Sequence, residues 1–320
     1  NNNFYEVSKS KYENSLGLFY SSITKALGMQ PNNHEYKVMG LAAFNEKNKY
    51  VDVILNYLKK IIFIDESNLT IKSTMNTYLV GDYLKKKLPN IRFDNFASAA
   101  QIFLEEIITK FFTILVQKYQ PNTITLSGGL FLNVKLNQKL VEKFSDIKFY
   151  IQPTSGDESL GIGAAYNYNK INNVKSMSIE NMYQGRNIDN KTVENYLINN
   201  PKSQKDFEII KYSSDEELNE KIFELIIKNE VVARVDERSE WGARSLCNRS
   251  LLVNPKNYKN FSFLNDLIKK RDFWMPFAPV ILDEWAEVYI ENWNKLKNRI
   301  SESSEFMTVS FNGTKKAQED

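Results

Sequence analysis

Hydrophobic positions repeat most regularly between Phe96 and Tyr119. Phe96, Ala99, Ala100, Phe103, Leu104, Ile107, Ile108, Phe111 and Phe112 recur at steps of three and four, which predicts a helix with one buried stripe. Earlier, Leu16 to Leu27 keeps helical spacing and is followed by Gly28, a helix-ending residue. Pro31-Asn32-Asn33-His34 reads as a turn, and Glu35 to Ala42 has no clean period. A helix is expected from about Lys47 to Ile61 and a short strand from Leu69 to Ser73.

After the long helix the pattern changes. Pro121-Asn122 breaks the chain, and Thr123-Ile124-Thr125-Leu126 reads as a buried strand. Ser127-Gly128-Gly129 is expected to turn it into a helix from Leu130 to about Phe144. A second strand, Ile147 to Gln152, ends at Pro153. The tight turn Thr154-Ser155-Gly156-Asp157-Glu158 then leads to a small-residue helix from Leu160 to Tyr166. Strand, glycine turn and helix thus occur twice in succession, the pattern of an α/β domain whose site lies at the strand ends.

Lys170 to Glu180 is polar and aperiodic, so the domain boundary is placed there, giving domains 1–173 and 174–320. Beyond Tyr183-Gln184-Gly185, a helix is expected near Lys191 to Ile198 and a strand near Phe207 to Ile210. Another helix starts at Ser213-Ser214-Asp215-Glu216, with Leu218, Ile222, Leu225 and Ile226 on one face. The apolar runs Glu230 to Val235 and Leu251 to Val253 frame an arginine-rich loop. The second domain therefore reads as mixed α/β.

Composition narrows the function. With 320 residues, 42% of them hydrophobic, the chain can bury a large core. A net charge of +3 is nearly balanced, which argues against a general nucleic-acid or membrane-surface binder. A single cysteine excludes an internal disulfide and fits a cytosolic protein. One histidine and one cysteine do not supply a zinc site. His34 sits in a polar turn and is left out of the candidate site.

Four stretches carry candidate chemistry. The loop Arg238 to Ser250 sets Arg238, Arg244 and Arg249 beside Gly242, Asn248 and three serines inside an apolar frame. Glycine lets backbone approach a ligand, and guanidinium forks grip phosphate or carboxylate oxygens. Ser127-Gly128-Gly129 and Asn133 would present backbone N–H groups to a phosphate, although a glycine pair alone also fits an ordinary turn. Asp157 would bind a cation or simply cap a helix. Lys37 would reach a phosphate or remain solvated. Cys247 reads as a small buried residue rather than a nucleophile.

These stretches also carry a resemblance. Glu240-Trp241-Gly242-Ala243-Arg244-Ser245-Leu246-Cys247-Asn248-Arg249-Ser250 is similar to the E-[FW]-G-x-R-[AS]-L-x-N-R-S signature of the O-carbamoyltransferases that decorate antibiotics and nodulation factors. Ile268-Lys269-Lys270-Arg271 to Pro279 resembles that family's I-K-x-R-x-x-x-x-P-F-A-P. Ser15 to Tyr20, Glu35 to Ala42, Leu126 to Gly129 with Asn133, Ile151-Gln152-Pro153, Gly156-Asp157 and Gly161 to Ala165 follow the family's motifs in order over nearly the whole chain.

The resemblance implies an actin-like ATPase domain, of which this chain holds the second half, followed by a mixed α/β domain that forms carbamoyl-adenylate. ATP and carbamoyl phosphate would be the substrates, with phosphate and pyrophosphate released and the carbamoyl group passed to a hydroxyl of a small molecule or sugar. Arg244, Arg249, Lys269 and Arg271 would clamp the polyanions. Lys37, Ser127, Gly128, Gly129 and Asn133 would hold the nucleotide. Asp157 would ligate a divalent metal, iron in the family, whose other ligands form an upstream H-x-x-x-H pair. A downstream H-x-D-G-T-x-R segment is also expected, so the chain is read as an internal piece of a longer protein. In this sequence Cys247 replaces a usual glycine, and Met275 stands where the family often has arginine. Two other readings are weighed. One is a degenerate module that binds nucleotide or a partner without turnover. The other, a tRNA-modifying relative, is disfavoured by the modest charge and by the linkage of the E-W-G-x-R block to a G-G-x-x-x-N turn.

Overall fold

A computed structural model describes residues 4–300 and 303–319. It is a mixed α/β structure in which helices dominate and every sheet has two strands. The chain divides into two compact units. The first comprises the described residues up to 157, together with 272–304 and 308–319, and the second comprises 158–271 with 305–307.

In the first unit α1 is Leu16–Ala26, α2 Glu35–Ala42 and α3 Lys49–Ile61, which runs directly into β1, Ile62–Asp65. β1 pairs antiparallel with β2, Thr70–Ser73. α4, Val80–Lys87, crosses α1 so closely that a Cβ added to Gly81 would lie 2.2 Å from the Ser22 carbonyl oxygen. α5, Phe93–Tyr119, fulfils the long-stripe expectation: Phe96, Ala99, Ala100, Phe103, Leu104, Ile107, Ile108 and Phe112 are buried. Phe103 meets Phe19 of α1 edge-on at 5.5 Å. α2 forms although its sequence lacks a clean period. Val38, Gly40 and Leu41 are buried, and Gly40 lies in ordinary contact range of Trp274, Met275 and Pro276, more than 230 residues away in sequence.

β3, Thr123–Leu126, and β4, Lys148–Ile151, form a parallel pair, with Leu126 opposite Ile151. The crossover helix α6 is Val134–Lys143. The expected helix from Leu130 starts later than the sequence suggested. Gly129–Leu132 is a 3-10 turn, and Asn133 caps α6 by accepting the Leu136 N–H at 3.0 Å. The returning segment contains α12, Ala286–Tyr289, α13, Trp293–Leu296, and α14, Lys315–Glu319. Arg299 donates to the carbonyls of Val141 and Phe144 at the end of α6, at 3.1 and 2.9 Å. Asn137 of α6 donates to Thr308 O at 2.7 Å.

The second unit holds α7, Leu160–Ile171, α8, Asn190–Asn199, α9, Pro201–Asp206, and α10, Asp215–Ile227. Ser214 caps α10, as the sequence predicts. The expected strand near Phe207 to Ile210 does not form. Those residues pair with no strand among the described residues, and Phe207, Ile209 and Ile210 are exposed. β5, Val232–Val235, and β6, Arg249–Leu252, form an antiparallel hairpin with Val235 opposite Arg249. α11, Tyr258–Phe263, continues into a π-helical turn, Leu264–Ile268.

Candidate active site

The two glycine turns of the first unit leave the same end of a parallel strand pair. The register sets Leu126 against Ile151, and Gln152 donates its N–H to Leu126 O at 2.9 Å. Ser127, Gly128 and Gly129 are exposed. Gly128 has φ of +99°, a conformation that favours glycine, and a Cβ added at either glycine would meet nothing within 4 Å. The turn therefore leaves open space above its backbone at the carboxyl ends of parallel strands, where α/β folds place ligands. In the neighbouring turn Ser155 donates to Gln152 O at 2.7 Å, and the buried Thr154 hydroxyl has no hydrogen-bond partner.

Asn133 is buried, and its carboxamide is fully engaged. Besides capping α6, it exchanges hydrogen bonds with Gln101 of α5, at 2.8 and 3.1 Å. Tyr20 donates to Gln101 Oε1 at 2.9 Å, and Gln101 donates to Glu105 at 2.7 Å. Burial pushes the Tyr20 phenol far above its ordinary pKa, with the Glu105 and Glu35 carboxylates adding to the effect. Burial likewise raises Glu105, against the opposing Gln101 hydrogen bond. This network fixes the base of the glycine turn from beneath.

Lys37 of α2 forms an ion pair with Asp272 at 2.9 Å, and its carbonyl accepts the Trp274 indole N–H at 3.2 Å. Met275 is buried beside Gly40. Asp157 is exposed at the start of a 3-10 turn. Among the described residues no group of three or more His, Cys, Asp or Glu is placed to hold a metal ion. Asp157 alone offers one carboxylate, which does not make a metal site.

The arginine loop of the second unit is organised by a carboxylate. Glu240 Oε1 accepts the backbone N–H groups of Leu246, Asn248 and Arg249 at 2.8, 2.8 and 3.0 Å. Burial would raise the Glu240 pKa, but these backbone donors outweigh it and hold the carboxyl below its ordinary value. Arg249, at the start of β6, donates to the carbonyls of Asp236 and Asn248, and to Glu237 O at 2.9 Å. It thereby ties the two arms of the hairpin together. Ser250 Oγ accepts the Cys247 N–H at 3.0 Å, and Ser245 donates to Arg249 O at 2.6 Å. Cys247 has φ of +78°, which accounts physically for the glycine expected there. Gly242, at φ +117°, allows the turn that presents Arg244. Arg244 is half-buried, and burial lowers its pKa from the ordinary value.

Arg271 donates its Nε to Asn265 Oδ1 at 2.7 Å, and Lys269 is exposed at the end of the π-helical turn. Such turns are frequent at functional sites.

Residues 1–166 match the family model described as Carbamoyltransferase N-terminus, and residues 223–320 match Carbamoyltransferase C-terminus. The chain belongs to the carbamoyltransferase family. Among relatives, an uncharacterized protein of Methanocaldococcus jannaschii is 30% identical over 296 residues, covering 91% of this chain and 55% of that protein. Nodulation protein NolNO of Sinorhizobium fredii is 28% identical over 295 residues, covering 87% of this chain and 40% of that protein. Nodulation protein NolO of Bradyrhizobium diazoefficiens is 26% identical over 290 residues, covering 87% and 50%. The chain spans about half the length of the curated relatives it matches. No described helix is long and apolar enough to cross a membrane.

In this family member the candidate residues take three kinds of position. Ser127, Gly128 and Gly129 line an open turn, Arg244 lies half-buried in the loop between β5 and β6, and Arg249, Asn133 and Lys37 are held by the hydrogen bonds and ion pair given above. Glu240 belongs to the sequence motif, but the motif alone does not mark it as the loop's organiser. Its signal is an acidic residue two positions before a glycine, in a loop whose backbone N–H groups lack strand partners. Gln101 gave no signal, because its position lies among the apolar residues of α5.

Proposed function

We infer that the protein carrying this chain is an ATP-dependent O-carbamoyltransferase. It forms carbamoyl-adenylate from ATP and carbamoyl phosphate and transfers the carbamoyl group to a hydroxyl of a small molecule or sugar. The observation that carries this reading is the arginine loop between β5 and β6, built in a chain whose two halves match the two carbamoyltransferase models in order. The nodulation relatives support a small-molecule or sugar acceptor.

Release of both phosphate and pyrophosphate requires one water. Water cleaves the carbamoyl–phosphate linkage, and the resulting carbamate oxygen displaces pyrophosphate from the α-phosphorus. Apart from the water, every species in that sequence is an anion. Arg244 supplies a guanidinium that remains cationic near neutral pH despite burial, and it is the residue assigned to the transferring groups. Lys269 and Arg271 add positive charge in the same unit. Arg249 is assigned to holding the loop that presents Arg244, since its guanidinium already donates to three carbonyls. In the first unit, an actin-like domain in this reading, the open Ser127-Gly128-Gly129 turn receives nucleotide phosphate through backbone N–H groups, and Asn133 fixes that turn. Asp157 is the residue this chain would offer to a divalent metal.

A second reading, a module that binds nucleotide without turnover, is favoured by the engagement of Arg249, Lys37 and Asn133 within the protein. Calorimetry with carbamoyl phosphate separates the two. The transferase reading expects binding that Arg244→Ala weakens at least about tenfold, the loss of a charge-assisted hydrogen bond of about 1.5–3 kcal/mol. Binding of ATP alone, with none of carbamoyl phosphate, supports the second reading.

A further inference from the structure

The arginine loop has two arms, 236–241 leading in and 246–249 leading out, with Arg244 between them. The entry arm is zipped to the earlier segment 182–188. Trp241 donates its N–H to Met182 O at 2.7 Å, Gly185 to Ser239 O at 2.9 Å, Ser239 to Arg186 O at 3.3 Å and Ile188 to Glu237 O at 3.2 Å. Asn187 and Arg238 complete an antiparallel bridge. The approach at Gly185 leaves no room for a side chain, because an added Cβ would lie 1.9 Å from Ser239 Oγ and 2.8 Å from Ser239 O. Tyr183 belongs to the same segment, yet its hydroxyl donates to Leu246 O on the exit arm, at 2.9 Å. The next residue, Cys247, has φ of +78° and is half-buried.

We propose that Tyr183 and Gly185 are positioning residues of the arginine loop, fixing the spacing of its two arms and hence the placement of Arg244. The proposal rests on the carbamoyltransferase reading for the consequence of that placement. The geometry behind it stands independently. One ribbon, 182–188, bonds the entry arm through its backbone and the exit arm through the Tyr183 hydroxyl. Glu240 closes the same exit arm through its carboxylate. Removing the hydroxyl leaves Leu246 O without that donor and lets the exit arm open around Cys247.

Cys247 is the chain's only cysteine, so its labelling by a disulfide reagent reports loop opening without reference to any activity. The experiment compares the parent chain, Tyr183→Phe and, as a control, Tyr168→Phe, whose ring is exposed on α7. Labelling is measured under native conditions beside circular dichroism, and pyrophosphate release from ATP and carbamoyl phosphate is followed in the same samples. Tyr183→Phe is expected to label about fivefold faster, the factor that loss of a typical hydrogen bond gives. Its KM for carbamoyl phosphate is expected to rise, with the dichroism spectrum unchanged and Tyr168→Phe matching the parent. Gly185→Ala is expected to speed labelling as well, and Gly185→Ala/Ser239→Ala to recover part of the change. Equal labelling rates in parent and Tyr183→Phe overturn the proposal. Faster labelling with unaltered kinetic constants overturns the link from arm spacing to the reaction. Faster labelling in a chain that releases no pyrophosphate upholds the positioning of the loop and counts against the transferase reading instead.

Discussion

Glu240 and Arg249 hold each other's stretch of chain: the carboxylate accepts the Arg249 N–H at 3.0 Å, while the Arg249 side chain grips the carbonyls of Asp236 and Glu237 beside it. The loop is therefore built as a closed ring of charge-assisted hydrogen bonds, and its order depends on Glu240 being ionised. Its pKa is held below the ordinary carboxylate value, so the folded loop gains stability above that value and loses it as pH falls through the lower, folded one. Backbone amide resonances of Leu246, Asn248 and Arg249 are expected to stay constant from neutral pH down to the ordinary carboxylate range, near about pH 4.3, and to shift together below it. Glu240→Ala is expected to show the shifted spectrum already at neutral pH. Resonances that ignore acidification would contradict this account of the loop.

Cys247 occupies a left-handed backbone conformation at φ +78°. Glycine avoids the steric cost there of about 1–2 kcal/mol, and loses part of that gain to chain entropy in the unfolded state. Cys247→Gly is thus expected to stabilise the second unit by up to about 1 kcal/mol in urea unfolding. Cys247→Val, with a branched Cβ, is expected to destabilise it. Equal midpoints for the two variants would count against a strained backbone at this position.

Gly81 and Gly17 lie in the neighbouring helices α4 and α1 but make opposite demands. A Cβ on Gly81 would sit 2.2 Å from Ser22 O, whereas one on Gly17 would find Ser15 Oγ at an ordinary 3.5 Å. Gly81→Ala is expected to cost about 1–3 kcal/mol through overpacking. Gly17→Ala is expected to gain up to about 1 kcal/mol through helix propensity. Chemical denaturation of the two variants side by side checks both signs.

The buried carboxamide pair Gln101–Asn133 predicts non-additivity. Gln101→Leu leaves Asn133 polar atoms without their partner and is expected to cost about 1–3 kcal/mol. In an Asn133→Ala background the same change is expected to cost less, with a coupling of at least about 0.5 kcal/mol in a double-mutant cycle. Additive losses would show that the pair does not act as a unit.

Much of the architecture could be read from local pattern, where that pattern was also the cause. The stripe on α5 is buried because it is a stripe, and α5 and β4 each stop two residues before a proline, Pro121 and Pro153. Where packing came from far away, the sequence was silent or misleading. α2 packs on α5, and its Gly40 also meets Trp274, Met275 and Pro276, which nothing near Glu35 announces. Phe207 to Ile210 has the composition of a strand, but no strand among the described residues pairs with it. The candidate site divides in the same way. The glycine turn and the arginine loop stood out as residue types, whereas the partners of Asn133, Lys37 and Arg249 depend on side-chain geometry that residue spacing does not encode. Tyr183 reaches Leu246 across 63 residues and left no local trace.

The most direct measurement is pyrophosphate release from ATP by the protein expressed at the full length its gene encodes, with and without carbamoyl phosphate, beside Arg244→Ala. Release that requires carbamoyl phosphate and falls at least about a hundredfold in the variant, matching about 2.7 kcal/mol or more of lost transition-state stabilisation, is the predicted result. A folded protein that binds ATP but releases no pyrophosphate when carbamoyl phosphate is added would contradict the assignment of this loop to carbamoyl-adenylate formation.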